Sequence, residues 1–98
     1  MAKMAQQLQA DMAIAQEEIA AMTLEGTAGG GAVTAMVNGK GEVMSITLDK
    51  DVVDPNDVEM LQDLITAAVN EGVHRIQEAA AERMNRVTGG LRIPGITG

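Results

Sequence analysis

Few residues in this chain are suited to covalent chemistry. His74 is the sole histidine, cysteine is absent, and no Ser or Asp stands near His74 at a spacing that implies a catalytic triad. One His among scattered acids is not a metal-ligand set. Asp49, Asp51 and Asp54 hint at a cation loop, but the calcium-loop pattern needs a central Gly and a terminal Glu at fixed offsets, and both are missing. Gly29-Gly30-Gly31 resembles the start of a phosphate loop, yet no Lys-Ser/Thr follows at the required distance and no Gly-x-Gly-x-x-Gly occurs there. The chain therefore reads as non-enzymatic, with no cofactor. Phe, Tyr and Trp are absent too, which removes the stacking platforms that single-strand nucleic-acid binders use.

Charge is the remaining handle. Fourteen acids against seven bases give a net charge of −7, which by itself argues against a polyanionic partner. The charge is uneven, however. Residues 1–72 hold three Lys and twelve acids, whereas residues 73–98 hold Arg75, Arg83, Arg86 and Arg92 against Glu78 and Glu82, a local +2. No apolar run is long enough for a membrane span, and the N-terminus lacks the pattern of a signal peptide, so a cytoplasmic protein is expected.

The element that must position these arginines is one long helix, Asp54 to Val87. Asp54 suits an N-cap, Pro55 the first helical position and Asp57 the positive end of the helix dipole, while Val53 and Val58 have the spacing of a hydrophobic staple. Apolar residues recur at helical spacing from Leu61 through Leu64, Ile65, Ala68, Val69, Val73 and Ile76 to Val87, and Gly89-Gly90 ends the run. At about 1.5 Å per residue this rod is roughly 50 Å long. A compact domain of this size has a radius of gyration near 13 Å, so part of the helix must project and needs a partner. Gly72, in mid-helix, costs up to about 1 kcal/mol relative to Ala and implies a close neighbour there.

Residues 1–22 read as a second helix. Met1, Ala5, Leu8, Met12, Ala15, Ile19 and Met22 alternate four and three apart, a heptad seam that packs along another helix. Ile14 widens its apolar face, and Glu17 and Glu18 read as a solvated face. Thr23–Thr27 reads as a short edge strand, the glycine run as a turn, and residues 32–48 as a β-hairpin about Asn38-Gly39-Lys40-Gly41. Val33, Ala35 and Val37, then Met44, Ile46 and Leu48, form its apolar face. The other face is mixed, and a sheet this small is marginal without helices to cover it. Eight Met replace aromatic residues as flexible filler. The expected fold is α+β, with one domain over residues 1–90 and a flexible C-terminal tail over 91–98.

The order helix, short strand, glycine run, hairpin and long helix resembles the YbaB/EbfC family of bacterial nucleoid-associated proteins over nearly the whole chain. The resemblance is carried by Gln6-Gln7-Leu8-Gln9, by Glu25-Gly26 to Gly31, and by Val37-Asn38-Gly39-Lys40-Gly41. It continues through Ile46-Thr47-Leu48-Asp49, through Glu59 to Ala68 with Asn70, and through Thr88-Gly89-Gly90-Leu91-Arg92-Ile93-Pro94-Gly95. It implies a homodimer in which the sheets join and the helices project like tweezer arms, binding duplex DNA with little sequence preference in the nucleoid. Family members often carry Lys where this chain has Asp11, Ile14 and Thr34, and Ala where it has Gly72.

On that resemblance, Lys3, Arg75, Arg83, Arg86 and Arg92 are the expected DNA-binding residues, contacting phosphates rather than bases. Arg75, Arg83 and Arg86 fall within about 80° of one another around a helix of 3.6 residues per turn. Glu71–Arg75 and Glu82–Arg86 are also i,i+4 ion pairs, each worth about 0.3–0.5 kcal/mol on a solvated helix. Arg83 has no acid three or four residues before it and is the strongest single expectation. The alternative is a non-catalytic protein-binding adaptor that acts, through Met-rich helices or its acidic surface, on a replication, recombination-repair or chromosome-organising protein.

Overall fold

The computed structural model describes residues 2–89. It contains helix α1 (Ala2–Ala21), strands β1 (Thr23–Ala28), β2 (Val33–Asn38) and β3 (Val43–Leu48), a 3-10 turn (Lys50–Val52) and helix α2 (Val58–Thr88). The fold is α+β, as the periodicities predict; the expected tail, 91–98, lies outside the described residues. The radius of gyration is 18.4 Å and the extents are 65 × 28 × 16 Å, so the molecule is far more elongated than a compact domain of about 13 Å. The 31 residues of α2 account for this, at about 46 Å.

The start of α2 corrects the sequence expectation. Asp54 does not cap it. The Asp54 carboxylate accepts from the Asn56 amide at 2.9 Å, making a local turn that also closes through Asp57 N–H to Asp54 C=O at 3.0 Å. Asp57 is the N-cap instead, accepting from the Met60 amide at 3.2 Å. With the helix starting three residues late, at Val58 rather than Pro55, the Val53–Val58 staple is lost, and both side chains are half exposed. Asp49 likewise caps the 3-10 turn by accepting from the Asp51 amide. The acids of this connection are thus turn and cap acceptors.

The sheet order is β1-β2-β3, antiparallel throughout, which makes β1 an edge strand as expected. Gly29, Gly30 and Gly31 carry φ of 63°, 69° and 95° in the β1–β2 turn, a conformation other residues adopt only with strain. The hairpin turn is organised by Asn38, whose side-chain oxygen accepts from the amides of Lys40 and Glu42. A register shift places Val43 opposite Val37 and leaves Met44 as the extra residue of a bulge. On β2, Val33, Ala35 and Val37 are fully buried beneath α2 and the alternate residues are half-buried.

The helix crosses the sheet at a glycine pair. A Cβ on Gly26 of β1 would overlap the carbonyl oxygen of Ala68 and the amide nitrogen of Gly72, and one on Gly72 would lie 2.7 Å from Val37 Cγ2. The close neighbour implied by Gly72 is therefore the sheet. Because α2 packs on β1 and β2, β3 stays uncovered. Val43, Met44, Ile46 and Leu48 are between 37% and 58% exposed, so the apolar face expected of β3 is not part of the core.

Beyond the sheet, α1 runs antiparallel to α2, with Met22 near Ala79, Glu18 against Arg83 and Asp11 near Val87. The heptad seam forms this contact: Ala15 is buried, Leu8, Met12, Ile19 and Met22 are half-buried, and Ala5 is exposed. Gly39 ties α1 to the hairpin, its N–H donating to the Met22 carbonyl at 3.0 Å. A side chain there would collide with the Ile19 carbonyl.

Candidate nucleic-acid interface

The three helical arginines do not form one row of solvated charges. Arg75 lies over the sheet, where its Nη1 donates to the Glu25 carbonyl at 2.9 Å. One helical turn earlier, Glu71 accepts from the Thr27 amide at 3.2 Å. Glu25 and Thr27 are alternate residues of an edge strand, whose backbone groups point the same way, outward. Glu71 and Arg75 are thus a matched acceptor and donor that cover the free edge of β1. The ion pair expected between them is replaced by these two contacts.

Arg83 and Arg86 lie on the arm that extends past the sheet. Arg83 Nε donates to Glu18 Oε2 at 2.7 Å, and its side chain is only 25% exposed between the two helices. Glu18 is therefore not merely part of a solvated face. The hydrogen bond from Arg83 holds its carboxyl below the usual carboxylate range, against a smaller opposing effect of burial. The same contact raises the Arg83 guanidinium further above its ordinary value. Arg86 makes the expected i,i+4 pair with Glu82, at 2.9 Å and well exposed. Lys3 is exposed in the first turn of α1, at the same end of the arm; Arg92 lies outside the described residues. Among the described residues, no ion pair involves Lys3, Lys40, Lys50 or Arg75.

An open recess of about 240 Å³ lies between the two helices, lined by Asp11, Ile14, Arg83, Arg86 and Val87. It brings together two of the five expected residues and sets them apart from Arg75. His74 pairs with Glu78 on an exposed helix face, at 2.7 Å. Among the described residues no group of three or more His, Cys, Asp or Glu is placed to hold a metal ion, and no helix is long and apolar enough to cross a membrane. The recess therefore offers guanidinium donors and one carboxylate, a set that can hold an anionic oxygen group but has no nucleophile.

Sequence reasoning missed Glu18 as a partner of this site. The signal was available in combination only: the seam on α1, laid antiparallel against α2, brings Glu18 to Arg83. The sequence pairs Glu71 with Arg75 at i,i+4, and nothing local marks it as an edge cap.

The sequence profile of the YbaB/EbfC DNA-binding family matches residues 1–91. A protein named nucleoid-associated protein from Syntrophobacter fumaroxidans is 56% identical over 89 residues, covering 91% of this chain and 81% of its own length. Another of that name from Chloroflexus aurantiacus is 56% identical over 90 residues, covering 92% and 90%. The crystal structure of an uncharacterized protein from Helicobacter pylori has a similar fold, with a TM-score of 0.64 at 22% identity, covering 81% of this chain and 92% of that one. The matched profile spans the arm, the glycine turn and the sheet alike, and the chain belongs to the YbaB/EbfC DNA-binding family.

Proposed function

We propose that this protein is a nucleoid-associated protein that binds duplex DNA as a homodimer, largely without sequence preference, through the basic residues of its projecting helices. Family membership and the relatives' names support DNA as the partner and the nucleoid, within the cytoplasm, as its place. The observation that carries the reading is the recess on the arm, where Arg83 and Arg86 present guanidinium groups on one side of α2. Lys3 extends this surface, with Arg92 the further candidate. Arg75 contributes least, because it is engaged at the edge of β1. With no aromatic residue to stack and no base-reading element, phosphate contacts dominate, and affinity depends on salt more than on sequence.

The uncapped edge supports the dimer. On β1 the outward groups are covered by Glu71 and Arg75, whereas among the described residues no side chain hydrogen-bonds to β3. An open strand edge that carries four exposed apolar side chains is a pairing surface, and a second β3 satisfies both its backbone and its side chains. The sheets then join and the arms point away.

Duplex-DNA retardation at several salt concentrations tests the reading. Each neutralised phosphate contributes about −0.9 to the slope of log K against log salt, and with so few bases the slope is expected at roughly −3 to −6 per dimer. Replacing Arg83 and Arg86 by Ala should flatten it and weaken all sequences about equally, with the dimer still folded. Absence of any retardation by the parent at low salt would overturn the proposal. The net charge of −7, and the acid already paired with each of the two arm arginines, then favour the second reading, an adaptor for a replication or recombination-repair protein.

A further inference from the structure

The acids on the arm are arranged as carefully as the bases. Arg83 makes a single hydrogen bond among the described residues, from Nε to Glu18 Oε2, and the guanidinium has five N–H donors in all. Its remaining donors are unassigned, and the side chain opens on the recess that Arg86 also lines. A carboxylate and a phosphate oxygen ask for the same thing of a guanidinium, charge-assisted N–H donation in its plane. Glu18 comes from the other helix of the arm, 65 positions away in the chain, and Asp11, about two turns nearer the start of α1 on nearly the same face, lines the recess. The Glu18 carboxyl is held ionised by Arg83, so at neutral pH its negative charge is present.

Resting on the reading that DNA phosphates meet this arm, we propose that Glu18 is an intramolecular competitor for phosphate at Arg83. In the free protein Glu18 neutralises Arg83. DNA binds there by exchanging the carboxylate for a phosphate oxygen, so the contact contributes less net counterion release than an unpaired arginine would. The pair therefore lowers affinity by construction: the protein holds DNA more loosely, and with a shallower salt dependence, than the same arm would with Arg83 unpaired. It also explains how an acidic member of a DNA-binding family can keep its arm arginines without binding tightly. Glu82, paired with Arg86 on the same helix, acts in the same direction with a weaker hold, since both of its groups are well exposed.

The test is Glu18→Gln, a substitution of equal size on an exposed side chain. Duplex binding by this variant should be about threefold tighter or more at low salt. Its salt slope should steepen by about 0.9 for each arginine released. Glu17→Gln is the control: it removes the same charge one residue away, and among the described residues Glu17 makes no ion pair. Glu17→Gln should change binding little, and the gain of Glu18→Gln should vanish in an Arg83→Ala background. Circular dichroism of each variant confirms an intact arm. If Glu17→Gln tightens binding equally, or if the gain survives Arg83→Ala, only overall charge matters and the proposal falls. If the parent binds DNA and Glu18→Gln binds no better, Glu18 is only a clip between helices. If neither retards DNA at low salt, the DNA-binding reading fails and this inference with it.

Discussion

Replacing Gly72 with Ala sets two effects of similar size against each other, and the structure decides between them. In an isolated helix the change stabilises by about 0.8–1.0 kcal/mol, because Gly loses more backbone entropy and Ala is the best helix former. Here the added Cβ would stand 2.7 Å from Val37 Cγ2, and real Cβ contacts essentially never fall below 3.0 Å. Val37 cannot easily give way. It is fully buried, it sits on the central strand, and its β-branched side chain has a stiff χ1. Overpacking of this kind costs about 1–3 kcal/mol, so the net expectation is a loss of roughly 0–2 kcal/mol. A double-mutant cycle isolates the clash. In a Val37→Ala background Cγ2 is gone, and Gly72→Ala should become neutral or stabilising, which gives a coupling of about 1–3 kcal/mol. Gly26→Ala should show no such rescue, because its Cβ meets the backbone of Ala68 and Gly72 rather than a side chain. Urea unfolding followed by helical circular dichroism, at one fixed protein concentration, reads the midpoints. Equal effects of Gly72→Ala in the two backgrounds would refute the crossing-point argument, as would a Gly26→Ala protein as stable as the parent.

Two further outcomes are expected. Light scattering at micromolar concentration should give twice the chain mass, and Ile46→Lys, which places a charge on the uncovered face of β3, should shift the protein toward monomer; a dimer unaffected by it would move the interface elsewhere. The Glu18 carboxyl is depressed by Arg83 below its usual 4.5, so its contribution is present above that value and is lost as pH falls through the depressed one. Asp11 is the other acid acting on Arg83, through its charge rather than a hydrogen bond. The thermal-stability difference between the parent and Glu18→Gln should accordingly be constant near neutrality, shrink as pH falls below 4.5 and close once pH has passed the depressed value; a difference that persists in stronger acid would mean that Glu18 acts through packing.

What could be read from the sequence, and what could not, divides by the range of the interaction. Asn38-Gly39, the glycine run and the heptad seam each write their structure into neighbouring residues, so the turns and both helices were readable. The helix start was ambiguous because Asp54 and Asp57 are both competent caps. The turn that Asp54 makes with Asn56 decided it. The arms of α1 and α2 meet through residues 65 apart, and only their antiparallel packing reveals that Arg83 already has a carboxylate. The exposed face of β3 could not be foretold from its alternation, which says which side chains share a face but not whether α2 reaches over them. Arg75 is the sharpest case. An acid and a base one helical turn apart read as partners of each other, yet Glu71 and Arg75 each take a backbone group of β1. A carbonyl exists at every residue and an amide at nearly every one, so such contacts leave no mark on residue type. Closing one edge of the sheet in this way leaves β3, among the described residues, as the edge still open to a strand. In the proposed DNA-binding dimer, the two side chains that withdraw Arg75 from the arm's basic surface would thereby also select the edge at which a second copy joins and the direction in which both arms point.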